Sequence, residues 1–292
     1  MDLWCQVAFL HGTAFGCKTY WAFRAKHFEQ IGYDWEPRHG TRELIERELS
    51  RVSIRVSRRD ARMPDRKVRE VRTLEMPPKL RKAYDTAERD FVLEYEDEEH
   101  ARTMFSTTRW IWMRRMCGGH LDGELVWDGK IRELVSLLRG ELAREQVVVW
   151  FCFNEEIAAC ATALEQVGVP ARVMHGDVPQ AKRRKDRDAF ERGEFCVFLL
   201  QQKVAEFGMD LSAADTAIVY SRHPALQTNQ QSEDRIVHMS KGDRPLLYVD
   251  LVAKDSVDED VSEMVSAKRV RSQRVMDGGI WERMQARTRR KQ

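Results

Sequence analysis

No run of roughly 18 uncharged apolar residues occurs anywhere in this chain of 292 residues, so no membrane-spanning helix is expected. The amino terminus also lacks a basic region followed by an apolar core, which argues against a secretory signal and for cytoplasmic residence. The six cysteines (Cys5, Cys17, Cys117, Cys152, Cys160, Cys196) include no C-x-x-C pair. Three of them lie in apolar segments, where a thiol behaves as a small hydrophobe, and all six read as reduced and structural. Cys117-Gly118-Gly119-His120 has the spacing of half a zinc site. No second pair stands at ligand spacing, so a turn is expected there and no metal. Internal repeats and low-complexity tracts are absent as well.

What is present suits a soluble α/β protein. With 42% hydrophobic residues, the chain can bury one sizeable core and a smaller second unit. The net charge of +2 conceals an uneven distribution. Between Arg38 and Arg72 stand twelve Arg or Lys against six Asp or Glu, and from Lys268 to Lys291 nine against two, while Asp85 to Glu99 is mostly acidic. Basic blocks of this kind suit a phosphate backbone. A solvated helical face explains the Glu-interleaved segment Arg42 to Arg59 equally well, and disorder is the simpler reading of the tail.

From about Asp128 onward, short apolar runs alternate with amphipathic stretches. Val147 to Phe153 reads as a buried strand, Asn154 as the cap of a helix reaching about Gln166, and Ala171 to Met174 as a second strand. His175-Gly176-Asp177 reads as a turn, and Pro179 opens a charged helix that ends near Gly193. Strands follow at Cys196 to Gln201, Thr216 to Tyr220 and Leu246 to Val252. Strands separated by such helices need crossovers, which predicts a parallel sheet covered on both faces. Its ligands should sit beyond the carboxyl ends of the strands, where Phe153, His175, Gln201 to Gly208 and Ser221 to Arg235 fall. Upstream, Leu3 to Leu10 fits strand or helix, while Phe23 to Phe28, Arg42 to Arg51, Pro78 to Leu93 and Thr107 to Met116 read as helices.

Two motifs carry the chemistry. Gly208-Met209-Asp210-Leu211 follows the strand ending at Gln201; its glycine lets the backbone approach a ligand or a facing domain, and Asp210 can accept hydrogen bonds from a ribose or an arginine. Gln231-Ser232-Glu233-Asp234-Arg235 then precedes a buried strand. Together these segments resemble the second RecA-like lobe of superfamily-two helicases, most closely the Swi/Snf-type DNA translocases, including phage members. The similarity extends to Val149-Trp150-Phe151, Asp128-Gly129-Lys130, His175-Gly176 and Asp258-Glu259-Asp260. Upstream, Asp2-Leu3-Trp4-x-Gln6 and Phe23-Arg24 resemble the end of a first lobe, and the Arg-rich stretch to Met76-Pro77 resembles the Swi/Snf-type insertion.

The resemblance implies an α/β, RecA-like helicase C-terminal lobe, with a parallel sheet covered by helices on both faces and preceded by a mainly helical region. It implies a division into 1–75 (first-lobe remnant and basic helical insertion), 76–125 (helical linker), 126–265 (helicase C-terminal domain) and 266–292 (basic tail). It also implies a bacterial or phage-infected host cell. Gln231, Arg235 and His238 would be catalytic, Gly208 and Asp210 would serve the nucleotide and interlobe site, and Lys203, Gln202 and His175 would contact DNA. ATP and Mg2+ are implied for an assembled two-lobe enzyme and not for this chain alone. The partners are duplex DNA and a separate first lobe carrying the P-loop.

The chain departs from that pattern at defined places. The family's second arginine, three residues after Arg235, is His238, and the continuation reads Met239-Ser240-Lys241. Where the family's preceding motif has small hydroxyl and glycine residues, this chain has Gln201, Gln202, Ala205 and Glu206, leaving Lys203 as the cationic match. The first lobe's phosphate loop and Asp-Glu motif are not found in the expected form. Gly12 to Thr19 approximates a P-loop, but it has one residue too few between the glycines, and Cys17 separates Gly16 from Lys18. These departures keep open a non-catalytic DNA-binding or partner-docking module, and a self-sufficient P-loop enzyme would depend on Lys18.

Overall fold

A computed structural model describes residues 2–31, 34–52, 67–96, 104–207, 209–238 and 244–270. The chain divides into two compact units, Met1–Arg62 and Met63–Gln292.

In the first unit, α1 (Asp2–His11) and α2 (Tyr20–His27) are followed by the strands β1 (Phe28–Ile31) and β2 (Asp34–Pro37) and the helix α3 (Thr41–Val52). Of the two readings of Leu3 to Leu10, the helix is the one formed. The strands pair as an antiparallel ribbon, so the helix expected to reach Phe28 ends one residue earlier. Phe15, Cys17 and Phe23 form a small core with Ala14.

The second unit contains β3 (Lys67–Leu74), α4 (Pro78–Glu96), α5 (Met104–Cys117), β4 (His120–Leu121), β5 (Glu124–Leu125), α6 (Gly129–Arg139), β6 (Val147–Phe151), α7 (Asn154–Gln166), β7 (Ala171–Met174), α8 (Gln180–Glu191) and β8 (Val197–Gln201). A 3-10 turn over Gln202–Phe207 leads on to β9 (Thr216–Val219), α9 (Leu226–Asp234), β10 (Leu246–Ala253) and α10 (Val257–Val270). Among the described residues the main sheet has six strands in the order β3-β10-β9-β6-β8-β7, and every pairing is parallel.

The apolar runs explain that order. All five residues of β6 are buried, as a strand covered on both faces requires. Successive side chains point to opposite faces. Val148 and Trp150 pack with Phe190 of α8, Phe198 and Leu200, while Val147, Val149 and Phe151 pack with Ile131 and Leu134 of α6 and with Ile157 and Leu164 of α7. A third cluster joins Tyr84 of α4, Met113 and Met116 of α5, and Val257 and Val261 of α10.

Two expectations change. Residues 67–74 fall within the segment expected to be a helical insertion, yet they form the edge strand β3, paired over its whole length with β10. Its sequence, Lys-Val-Arg-Glu-Val-Arg-Thr-Leu, is rich in charge, as suits a strand with one open edge; β10 supplies the ladder that local sequence cannot signal. The helix expected to be capped by Asn154 begins at Asn154, with Phe153 at the cap position; the Phe153 amide donates to Glu156 Oε2 at 3.3 Å. At Cys117-Gly118-Gly119-His120 the chain turns from α5 into β4. Gly119 has φ +93° and lies where a Cβ would fall 2.0 Å from the Trp127 carbonyl oxygen, so only glycine fits.

Candidate functional site

Parallel strands bring the loops after β6, β7, β8 and β9 to one rim. Its inner layer is a hydrogen-bond network that leaves Glu156 Oε1 buried without a partner among the described residues. The Ser221 hydroxyl accepts from the Cys152 amide at 2.7 Å and donates to Glu156 Oε2 at 2.5 Å. Gln202 is 1% exposed. Its Oε1 accepts the His223 amide at 2.7 Å, and its Nε2 donates to Asn229 Oδ1 at 3.4 Å and Ser232 Oγ at 3.3 Å. Gln202, expected at the DNA surface, is thus a buried clasp between the 3-10 turn and α9, with its amide committed on both sides. The reason is local: the turn after β8 directs Gln202 and Val204 inward and Lys203 outward.

Burial tunes two groups of this layer. It pushes the Glu156 carboxyl up to about 7, against the opposing effects of the Ser221 hydroxyl and nearby Lys130. It lowers the His223 imidazole to about 4, with help from the positive charges of Arg114 and Lys203. Arg114 of α5, itself 8% exposed, donates to the Arg222 carbonyl at 2.8 Å and to Cys152 Sγ at 3.1 Å, tying the helical region to the rim.

Below α9 lies a cluster of charge. Glu233 is 1% exposed, and its carboxylate accepts from Arg69 Nη2 at 2.6 Å, Lys67 Nζ at 3.3 Å and Arg222 Nη1 at 3.4 Å. Asp250 of β10 pairs with Arg222 at 2.5 Å and with Arg69 at 2.8 Å. The Tyr248 hydroxyl donates to the Glu233 carbonyl at 2.8 Å. Burial works against the Arg69 charge, but the Asp250 and Glu233 carboxylates overcome it and raise its pKa. Two carboxylates among three cations fix α9 from beneath. Sequence reasoning missed Arg69, Arg222 and Asp250. Asp250 did carry a signal, since a carboxylate inside the apolar run Leu246 to Leu251 needs a partner.

On the open side stand most of the expected site residues. The Leu211 amide donates to the Arg235 carbonyl at 2.9 Å, so the Asp210 loop and the end of α9 meet directly. Asp210 is exposed, and its carboxylate accepts the Ser212 amide at 2.9 Å. Gln231 and Arg235 are partly buried, and His238 and Lys203 are exposed. His175 stands apart at the next loop, where its Nδ1 lies 3.3 Å from Asp177 Oδ2 and Arg183 braces the turn through the Gly176 and Val178 carbonyls. Gly208, Met239, Ser240 and Lys241 lie outside the described residues, as do the basic tail beyond Val270 and most of the Arg-rich stretch before β3.

Two further motifs resolve. Lys130, 1% exposed, donates to Asp258 Oδ2 at 2.6 Å and to the Tyr220 carbonyl at 2.8 Å, so the segments at Asp128 and Asp258 close on each other through one buried ion pair. Gly12 to Thr19 does not form a phosphate loop. It follows a helix instead of a strand. Ala14 and Cys17 bond to each other across a turn at 2.9 and 3.3 Å, with Phe15 and Gly16 at φ +53° and +67°. This ties up backbone groups that a phosphate cradle would need converging on one point.

Comparison with known proteins agrees with this architecture. Residues 129–240 match the helicase conserved C-terminal domain. Protein CHROMATIN REMODELING 19 of Arabidopsis thaliana is 26% identical over 161 residues, which are 54% of this chain and 21% of that protein. Putative protein p41 of Acyrthosiphon pisum secondary endosymbiont phage 1 is 25% identical over 287 residues, 92% of this chain and 60% of that protein. This chain therefore spans about a fifth of the plant relative and three fifths of the phage protein. The crystal structure of the C-terminal part of the Fun30 ATPase domain has a TM-score of 0.59 at 14% identity, covering 78% of this chain and 99% of that one. The Sulfolobus solfataricus SWI2/SNF2 ATPase core in complex with dsDNA also scores 0.59 at 14% identity, covering 91% and 58%. Matched domain and fold agree: residues 129–240 carry a helicase conserved C-terminal domain, and the fold is similar to that of the C-terminal part of the Fun30 ATPase domain.

Proposed function

We propose that this chain is the closing lobe of a Swi/Snf-type, ATP-dependent DNA translocase and needs a Walker-bearing first lobe to hydrolyse ATP. The observation that carries this reading is the 2.9 Å bond from the Leu211 amide to the Arg235 carbonyl. It couples the Asp210 loop to the end of the arginine-bearing helix, on the rim where an α/β sheet binds its ligands. Arg235 would then present its guanidinium to nucleotide phosphates across the interlobe cleft, with Gln231 and His238 beside it.

Lys203 and His175 are assigned to DNA phosphates, and the likeness to an ATPase core bound to dsDNA supports a duplex as the partner. With residues 67–74 paired to β10, we move the boundary expected at residue 75 to that of the compact units, assigning 1–62 to the first lobe's end and 63–125, with the helical linker, together with 126–265 to the second lobe. The phage relative supports a bacterial or phage-infected cell, with the protein in the cytoplasm. No helix among the described residues is long and apolar enough to cross a membrane. The ligands for magnesium are assigned to the partner lobe, with the Asp-Glu motif that the resemblance places there.

The test mixes the chain with a P-loop-bearing first lobe and follows ATP hydrolysis with and without duplex DNA. The expected result is DNA-stimulated turnover that falls roughly a thousandfold in Arg235→Ala. Turnover unaltered by that change would overturn the reading. His238 favours a second reading, a module that binds DNA or docks a partner without catalysis, because an imidazole lacks the forked guanidinium donors with which an arginine grips a phosphate. In that case the mixture shows DNA binding and no turnover, before or after Arg235→Ala.

A further inference from the structure

The first unit carries a ladder of aromatic rings and charge that the rim chemistry leaves unused. Trp21 and Arg24 sit one turn apart on α2 and share a face. Trp35 of β2 meets them from the ribbon. The Arg24 guanidinium carbon lies 4.4 Å from the Trp21 ring centroid and 4.2 Å from that of Trp35, so a cation is held between two indoles. Trp21 is nevertheless 63% exposed and Trp35 37%, although Phe15 and Phe23 of the same unit are buried. Tyr20 braces Trp21 edge-on at 5.8 Å.

Charge is sorted around this ladder. Gln30 stands opposite Trp35 in the ribbon, while the neighbouring pair, Glu29 and Glu36, points to the other face. Among the described residues no ion pair joins Arg24 to a carboxylate. The face therefore combines a cation with open π surface and turns its acidic pair away, which complements a ligand that has both negative charge and flat aromatic rings.

We infer that Trp21, Arg24 and Trp35 form a stacking platform for unpaired bases of single-stranded DNA. Bases stack on exposed indoles whatever their sequence, and the guanidinium adds cation–π attraction and charge toward the phosphates. This site is separate from the duplex contacts assigned to Lys203, and it stands or falls independently of them.

The experiment measures fluorescence anisotropy of a labelled oligodeoxythymidylate of about 12 nucleotides, a length within the range such platforms cover, with the full chain. A duplex and an oligouridylate of equal length are run beside it. Trp21→Ala should weaken single-strand binding about tenfold or more, Trp21→Phe should retain most of it, and Arg24→Gln should show a similar selective loss. Duplex binding should be unchanged in all three variants and lowered in Lys203→Ala. The inference is overturned by absent binding of the single strand to the wild-type chain, by unchanged affinity in Trp21→Ala, or by an equal loss on duplex and single strand. Tighter binding of the oligouridylate than of the DNA would overturn the assignment to DNA.

Discussion

The two faces of α9 use similar residue types to opposite ends. On the inner face Asn229, Ser232 and Glu233 are buried and tied to Gln202, His223, Arg222, Arg69 and Lys67. On the outer face Gln231 and Arg235 are only partly buried, and Asp234 is exposed. Gln202 and Lys203, neighbours in sequence, divide in the same way. The lesson concerns the cost of burial: a polar group taken out of water must have its partners built in, so the inner layer is scaffold. The outer layer instead places its polar groups at the surface, on the side where a nucleotide or a phosphate backbone would approach.

The comparison is broken most severely from within. Lys130→Ala strands Asp258 and the Tyr220 carbonyl in the interior, and the expected loss is about 3–5 kcal/mol of stability, read by denaturant unfolding of the full chain. A loss under about 1 kcal/mol would mean that the Lys130–Asp258 pair does not close the second unit.

A pH profile tests the buried layer next. The pKa of Glu156 is raised by folding, from 4.5 to about 7, so its favourable contribution is full below about pH 4.5 and is lost as pH rises through about 7. That of His223 is lowered from 6.5 to about 4, so its contribution is present above pH 6.5 and lost as pH falls through about 4. The two slopes oppose each other between those limits. Glu156→Gln removes the first and should expose the second. Relative to the wild type, the variant should gain on the order of 3 kcal/mol between pH 4 and pH 8, measured as unfolding free energy against pH. Parallel profiles for the two proteins would refute the assignment of that slope to Glu156.

The sharpest small effect comes from the adjacent pair. Gln202→Ala should cost about 1–3 kcal/mol of stability. Lys203→Ala should leave stability within about 0.5 kcal/mol but reduce the salt dependence of duplex binding by about one phosphate contact. If the two variants behaved alike in both assays, inner and outer layers would not be distinct.

Much of the fold was legible because burial on both faces leaves continuous apolar runs. Val147 to Phe151, Val197 to Gln201 and Leu246 to Ala253 are strands, and their parallel pairing follows from the helices between them. The strand at Lys67 to Leu74 was not legible, since its charged alternation fits a solvated helix equally well until β10 is beside it. In the site, the residue types of Gln231, Arg235 and Asp210 could be read from their motifs. The roles of Arg69, Arg222 and Glu233 could not, because an ion cluster drawn from residues 67 to 250 has no local spacing to betray it.

Sequence alone determined the parallel sheet and the order of the motifs along it, because periodicity and residue identity are properties of the chain itself. Tertiary structure decided which polar residues are buried in the scaffold and which lie at the surface. That depends on the side of a turn or helix that meets the core, and so on the cost of removing each group from water.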